Sequence, residues 1–185
     1  MALRVSFDLE ESDLNHFRLI MREARKAAAT AAPEDIVAGA ENLLAQVSGA
    51  NVPGFIRERL DNLELMIRML SDHEWRLPRH ESARVLNALA YFSEPDDLIP
   101  DHIPGLGFLD DAIMIELVAR ELKHEIEAYR DFCDFRAKQP AGTRSAGVTR
   151  EEWLAERRKE LQSRMRRRRR RNAGASGKTQ PRIFS

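Results

Sequence analysis

An all-α fold follows from three features of this 185-residue chain. Apolar side chains recur at spacings of three and four through five successive stretches. Ser, Thr, Asn, Pro and Gly mark the ends of those stretches, where helices start and stop. Strand-like alternation is confined to a weak pattern at Leu3–Phe7. A hydrophobic fraction of 43% is enough to fill a core, and amphipathic helices on short connections bury their apolar faces against one another. The expected architecture is a small helical bundle with a Pro/Gly corner between two helices and a basic C-terminal helical arm.

The elements run in order. Ser12 is placed to cap a first helix carrying Leu14, Phe17, Met21 and Ala24. Thr30 and Pro33 punctuate, and Pro33 suits a first helical position because the N–H it lacks would be unpaired there. Ile36, Val37, Ala40, Leu43, Leu44 and Val47 form the second apolar face, closed by Gly49. Asn51 as cap, with Pro53 just inside, opens a third helix on Ile56, Leu60, Leu63, Ile67 and Leu70. Trp75, Leu77 and Pro78 interrupt, with His73 and His80 beside them in a polar loop. A fourth helix carries Val85, Leu86, Leu89 and Phe92, and a bend follows from Glu94 to Gly107. One long fifth helix is expected along Ile115, Val118, Leu122, Ile126, Tyr129 and Cys133.

From Gln139 the composition shifts to Pro, Ala, Gly, Thr and Ser, which reads as a linker. Thr149 with Glu152 then forms a capping-box pattern. It opens a charged helix whose apolar positions are Trp153, Leu154, Leu161 and Met165, and which runs into six consecutive arginines. The expected organisation is an acidic helical body at 1–138, a linker at 139–148, a charged helix at 149–171 and a disordered tail at 172–185. Net charge is zero overall, yet residues 1–139 sum to −10 and residues 140–185 to +10. An acidic body beside a basic arm is the clearest physical statement in the composition.

Composition and motifs also narrow the function classes. No run of about 18 apolar residues appears, so no transmembrane helix is expected. The opening residues hold no hydrophobic signal core, which favours a cytoplasmic location, at most peripheral to the inner membrane. The single Cys133 rules out an internal disulfide and a cysteine zinc site, and it reads as a core thiol. No nucleophile elbow and no phosphate-binding glycine loop occur.

The stretch from Ser93 to Ile113, SEPDDLIPDHIPGLGFLDDAI, is the most distinctive. Pro100 and Pro104 forbid a helix interior there, while Gly105 and Gly107 permit backbone angles other residues avoid. Asp110 and Asp111 fall in the first turn of the next helix, where negative charge is favoured. These residues resemble the YkvA-like family, a bacterial domain of unknown function. Its pattern maps onto Pro95, Asp97, Leu98, Ile99, Pro100 and Asp101, then Ile103, Pro104 and Gly107, then Asp110 and Asp111. The resemblance covers about residues 85–125 and implies no activity. It does imply membrane association, because many members carry apolar helices around this corner. Here Glu116, Arg120, Glu121 and Lys123 make the following helix amphipathic instead.

Asp97, Asp101, His102, Asp110 and Asp111 gather carboxylates and an imidazole at one corner. Hard cations favour such oxygens, but capping of helix ends and of amides freed by prolines is the expected role. No metal or other cofactor is expected. Glu121 with His124 makes a Glu-x-x-His pair, and Asp13 with His16 an aspartate variant of it; a di-iron centre would need more carboxylates than these.

The arm offers Arg157, Arg158, Lys159, Arg164, Arg166, Arg167, Arg168, Arg169, Arg170 and Arg171 to a polyanion. The expectation is a non-enzymatic interaction module whose arm binds nucleic acid or a ribonucleoprotein by charge and counterion release. An acidic protein surface, in this chain or another, and an anionic membrane surface are the rival partners. A metal-dependent enzyme built on the corner carboxylates is the rival class.

Overall fold

The computed structural model describes residues 8–48, 52–93, 108–138 and 149–176. Among them are seven α-helices and no strand: α1 (Glu11–Ala27), α2 (Pro33–Ser48), α3 (Gly54–Ser71), α4 (Arg79–Leu89), α5 (Leu109–Glu121), α6 (Lys123–Ala137) and α7 (Arg150–Ser176). Short 3₁₀ turns extend α1 at Ala28–Thr30 and α4 at Ala90–Ser93. The all-α expectation holds. Leu3–Phe7, Gly49, Asn51 and the 139–148 linker lie outside the described residues.

The chain divides into two compact units, Met1–Ile67 with Arg79–Glu121, and Arg68–Pro78 with Leu122–Ser185. In the first unit α1 begins one residue before Ser12, so Ser12 is helical rather than capping. Asp13 takes the terminal role instead, its Oδ2 accepting the Glu10 N–H at 2.9 Å. Pro33 opens α2 as expected, whereas Pro53 stands just outside α3, its carbonyl accepting the N–H groups of Ile56 and Arg57. The core of this unit holds Ile56, Leu63, Met66, Val85, Leu89, Met114 and Ile115, all fully buried.

Gly39, in the middle of α2, sits against the 3₁₀ turn after α4. A Cβ there would lie 2.5 Å from the Phe92 carbonyl oxygen and 2.6 Å from Ser93 Cα. Only glycine lets the two backbones approach so closely. Tyr91 and Phe92 are buried in this turn, edge to face with ring centroids 5.3 Å apart.

The single long helix expected from Ile115 to Cys133 is two helices. Leu122 leaves the helical region, at φ −96° and ψ 17°. At that point the Glu121 carbonyl accepts a hydrogen bond from Arg84 at 3.1 Å, while the Glu121 carboxylate pairs with Arg25 at 2.7 Å. Those side-chain partners fix the end of α5. The apolar stripe passes through the break unharmed, since Ile115, Val118, Leu122, Ile126 and Tyr129 are all buried. Periodicity alone therefore could not reveal it.

In the second unit α7 packs along α6 and over the turn that follows α3. Leu154, Leu161 and Met165 supply its buried face. The helix continues to Ser176, so residues 172–176, expected in a disordered tail, are helical.

Candidate functional site

Two places carry the residues singled out by the sequence. The first is the corner in the first unit. Pro95, Asp97, Leu98, Ile99, Pro100, Asp101, His102, Ile103, Pro104 and Gly107 lie outside the described residues. Its two flanks are described. Phe108 enters α5 with φ 66°, a left-handed conformation unusual for a large side chain, and its carbonyl accepts the Ala112 N–H at 3.0 Å. Asp110 and Asp111 occupy the first turn of α5 as expected. Their burial was not foreseen: both are almost fully enclosed, and neither lacks a partner. Burying a carboxylate is costly unless it is bonded, so these two are built into the interior. Among the described residues no group of three or more His, Cys, Asp or Glu side chains is arranged to hold a metal ion.

The Glu-x-x-His candidates separate. Glu121 ends α5 in its pair with Arg25, while His124 lies beyond the break, on α6, with Nε2 at 2.9 Å from Asn172 Nδ2. Asp13 serves the start of α1, and His16 is exposed. His80 Nε2 lies 2.9 Å from the buried Glu81 carboxylate, and His73 stands exposed in its turn.

The second place is α7 and what it docks on. Thr149 and Glu152 form the expected capping box: the Thr149 N–H donates to Glu152 Oε2 at 2.7 Å, and the Glu152 N–H donates to Thr149 Oγ1 at 3.2 Å. The Thr149 N–H and hydroxyl hold the Glu152 carboxyl below its ordinary range. Downstream, the turn Asp72–Arg76 forms the base of the dock. Asp72 accepts four hydrogen bonds, from the N–H groups of Glu74 and Trp75 (both 2.9 Å), from Tyr129 Oη (2.8 Å) and from Arg136 (2.8 Å). Burial pushes its carboxyl up, but these bonds, led by the Trp75 amide, outweigh it and hold the group below the usual carboxylate range. Burial and the Asp72 carboxylate push the Tyr129 hydroxyl well above its ordinary value. Trp75 is fully enclosed between Tyr129 and Phe132.

Helix α7 closes over this turn with polar side chains. Arg150 donates to the Glu74 carboxylate at 2.7 Å, Arg158 to the Glu74 carbonyl at 2.8 Å, and Gln162 to the Trp75 carbonyl at 3.0 Å. Arg150 above all, then Arg136, keeps the Glu74 carboxyl below its ordinary range. Further along, the arginine run meets a row of acids on α6 in antiparallel order. Arg164 pairs with Asp131, Arg168 with Glu127 at 3.1 Å, and Arg169 with the fully buried Glu125 at 2.8 Å. These three arginines are thus paired with acids of the same unit.

At 100° per residue the six arginines cannot share one face. Arg169, half-buried, and Arg168, exposed but paired with Glu127, lie on the α6 side of the helix. Arg167, Arg170 and Arg171 point the opposite way, are exposed, and make no ion pair among the described residues. Together with Arg164 and Arg168 they line a shallow depression of about 610 Å³ walled by guanidinium groups. Lys159 is exposed on the same side, Arg166 bonds Ser163, and Arg157 covers the Phe135 ring and pairs with Glu160. Cys133 is half-buried, its Sγ 3.7 Å from the Arg136 guanidinium.

Among the described residues no helix is long and apolar enough to cross a membrane. No solved structure matches this chain. Residues 83–117, which run from α4 through the corner into α5, match the family described as "Protein of unknown function (DUF1232)". The Bacillus subtilis (strain 168) protein named "Uncharacterized membrane protein YkvA" is 36% identical over 76 residues, covering 38% of this chain and 70% of that one. The corner pattern, the segment it occupies and the extent of that likeness agree, and the chain belongs to the YkvA-like (DUF1232) family.

Proposed function

We propose that this protein is a non-enzymatic helical module that attaches peripherally to an anionic membrane surface through the outward face of α7. The observation that carries the reading is the partition of the arginine run. Arg167, Arg170 and Arg171 share one exposed face and are not neutralised, while their neighbours in sequence are spent on α6. A basic side chain near an anionic leaflet contributes about 1 kcal/mol. Three of them give about 3 kcal/mol, which corresponds to weak, reversible attachment at millimolar strength. The relative named as a membrane protein, and the absence of a spanning helix among the described residues, favour a surface over a span.

The test is sedimentation of the full chain with vesicles. Binding to phosphatidylglycerol-rich vesicles that weakens with salt, no binding to phosphatidylcholine vesicles, and loss in an R167E/R170E/R171E variant are expected. Equal binding by wild type and variant would overturn the reading. Nucleic acid presents the same phosphate chemistry. If the wild type ignores vesicles but binds RNA or DNA with a steep log–log salt dependence, and the triple variant does not, the polyanion is nucleic acid instead.

A further inference from the structure

The first unit carries a groove unrelated to the arginine helix. It runs between α1, α3 and α5 as an open depression of about 400 Å³, lined by Leu9, Leu14, Phe55, Leu109, Ile113 and Leu117 with Asp8, Arg59, Glu116 and Arg120 among them. Leu9 and Phe55 remain substantially exposed at its rim, which a side chain needed only for the core would not be. At Leu117 and Arg120 the groove meets a second depression of about 460 Å³, in which Arg18, Arg22 and Arg25 join Arg120.

The two ends differ in charge. Asp8 stands at the apolar end. At the other, Arg18, Arg22, Arg25 and Arg120 gather around Glu121. Arg18 is occupied by Glu11 and Asn15, Arg25 by Glu121, and Arg120 by Glu116, which also reaches Arg59 at 3.5 Å. Arg22 is exposed and makes no ion pair among the described residues. The apolar wall runs into a cluster of arginines that includes the exposed Arg22, a polarity that fits an apolar tail carrying an anionic head. From Leu109 to Arg120 the α5 axis rises about 16 Å, roughly the extended length of a twelve-carbon chain at ordinary C–C bond lengths.

We propose that this groove binds one acyl chain, with its tail on Leu14, Phe55 and Ile113 and its acidic head on Arg22 and Arg120. The occupant is an anionic single-chain amphiphile, supplied either as a free fatty acid or as an acyl chain drawn from an anionic lipid. The site stands independently of the α7 face. Each methylene buried tightens binding about fourfold, so affinity rises with chain length until the groove is filled.

Calorimetric titration of the full chain with sodium dodecanoate, below its micelle concentration, tests this. One saturable site is expected, with decanoate at least several-fold weaker and dodecyltrimethylammonium, of equal tail and opposite charge, at least tenfold weaker. Ile113→Glu places a carboxylate in the channel and should cost at least tenfold. Arg22→Glu, at an exposed position that spares the fold, should cost about tenfold and carries the test if the first variant does not fold. The R167E/R170E/R171E variant should bind dodecanoate as the wild type does. Non-saturable heats, equal affinity for the cationic amphiphile, or indifference to both groove variants would overturn the proposal. If Ile113→Glu loses dodecanoate and also weakens attachment to phosphatidylglycerol vesicles, the chain comes from the bilayer. If it loses dodecanoate alone, the source is free acid.

Discussion

Arg169 of α7 reaches Glu125 of α6 at 2.8 Å, and that carboxylate is wholly enclosed. The next residue, Arg170, faces the other way and stands exposed. Two identical side chains, adjacent in a run of six, thus have opposite roles because one residue turns the helix by 100°. One closes the second unit and its neighbour faces outward. The charge balance shows the same division at larger scale: among the described residues Arg150, Arg164, Arg168 and Arg169 pair with acids of residues 1–139 within this unit.

Arg169→Ala should therefore destabilise the second unit by about 3 kcal/mol, because it breaks an ion pair to a buried carboxylate. For a chain of this size that lowers Tm by roughly 6–12 °C. Arg170→Ala should change stability by less than about 0.5 kcal/mol. Thermal denaturation of the two variants side by side decides it, and equal effects would refute the inward and outward assignment.

Gly39→Ala is a second stability test with an inverted sign. In an exposed helix interior the change would stabilise by about 1 kcal/mol. Here the added Cβ meets the Phe92 carbonyl at 2.5 Å, and that neighbour is backbone. Overpacking of this kind costs about 1–3 kcal/mol, so the variant should melt lower than wild type. A higher melting temperature would show that α2 and the turn after α4 do not touch.

Much of this was legible in the sequence, and the losses have physical reasons. Helix existence, the Thr149 capping box and the acids of the first turn of α5 all rest on local chemistry, which a sequence displays directly. The break at Leu122 did not show, because its cause is long-range: Arg84 and Arg25 secure Glu121 from other helices. The dock of α7 was half visible. Continuing the Leu154–Leu161–Met165 spacing by three and four reaches Arg168, Arg169 and Asn172, which do face α6. Reading the arginines as one block of charge hid that pattern. Asp72 carried no sequence signal at all, since its role depends on Tyr129 and Arg136, both far along the chain.

Removing the cap tests how firmly α7 begins. Thr149→Ala deletes the hydroxyl that accepts the Glu152 N–H and donates to the Glu152 carboxylate. A loss of about 1 kcal/mol is expected, with faster amide hydrogen exchange at Glu152 and Trp153 and none at Leu161. Uniform acceleration along α7 would mean the helix opens as one piece, and the local cap would not be what limits fraying.

Asp72 gives the chain a defined acid sensitivity. Its folded-state carboxyl lies below the ordinary value of 3.8, so its contribution is fully present above that pH and fades as pH falls through the folded-state value. Asp72→Asn keeps an oxygen for the Glu74 and Trp75 amides but removes the charge facing Arg136. The variant should lose roughly 1.5–3 kcal/mol at pH 7, and the gap to wild type should narrow below about pH 4. Glu74 also faces Arg136 and titrates in the same acid range, lowered chiefly by Arg150. The informative quantity is therefore the difference between variant and wild type at each pH, from urea midpoints at pH 7 and pH 3. Tyr129→Phe, which removes one neutral donor and leaves both charges, should lose less and show a gap that changes little with pH. A constant gap for Asp72→Asn would mean that shape, and not the carboxylate charge, holds the turn under α7.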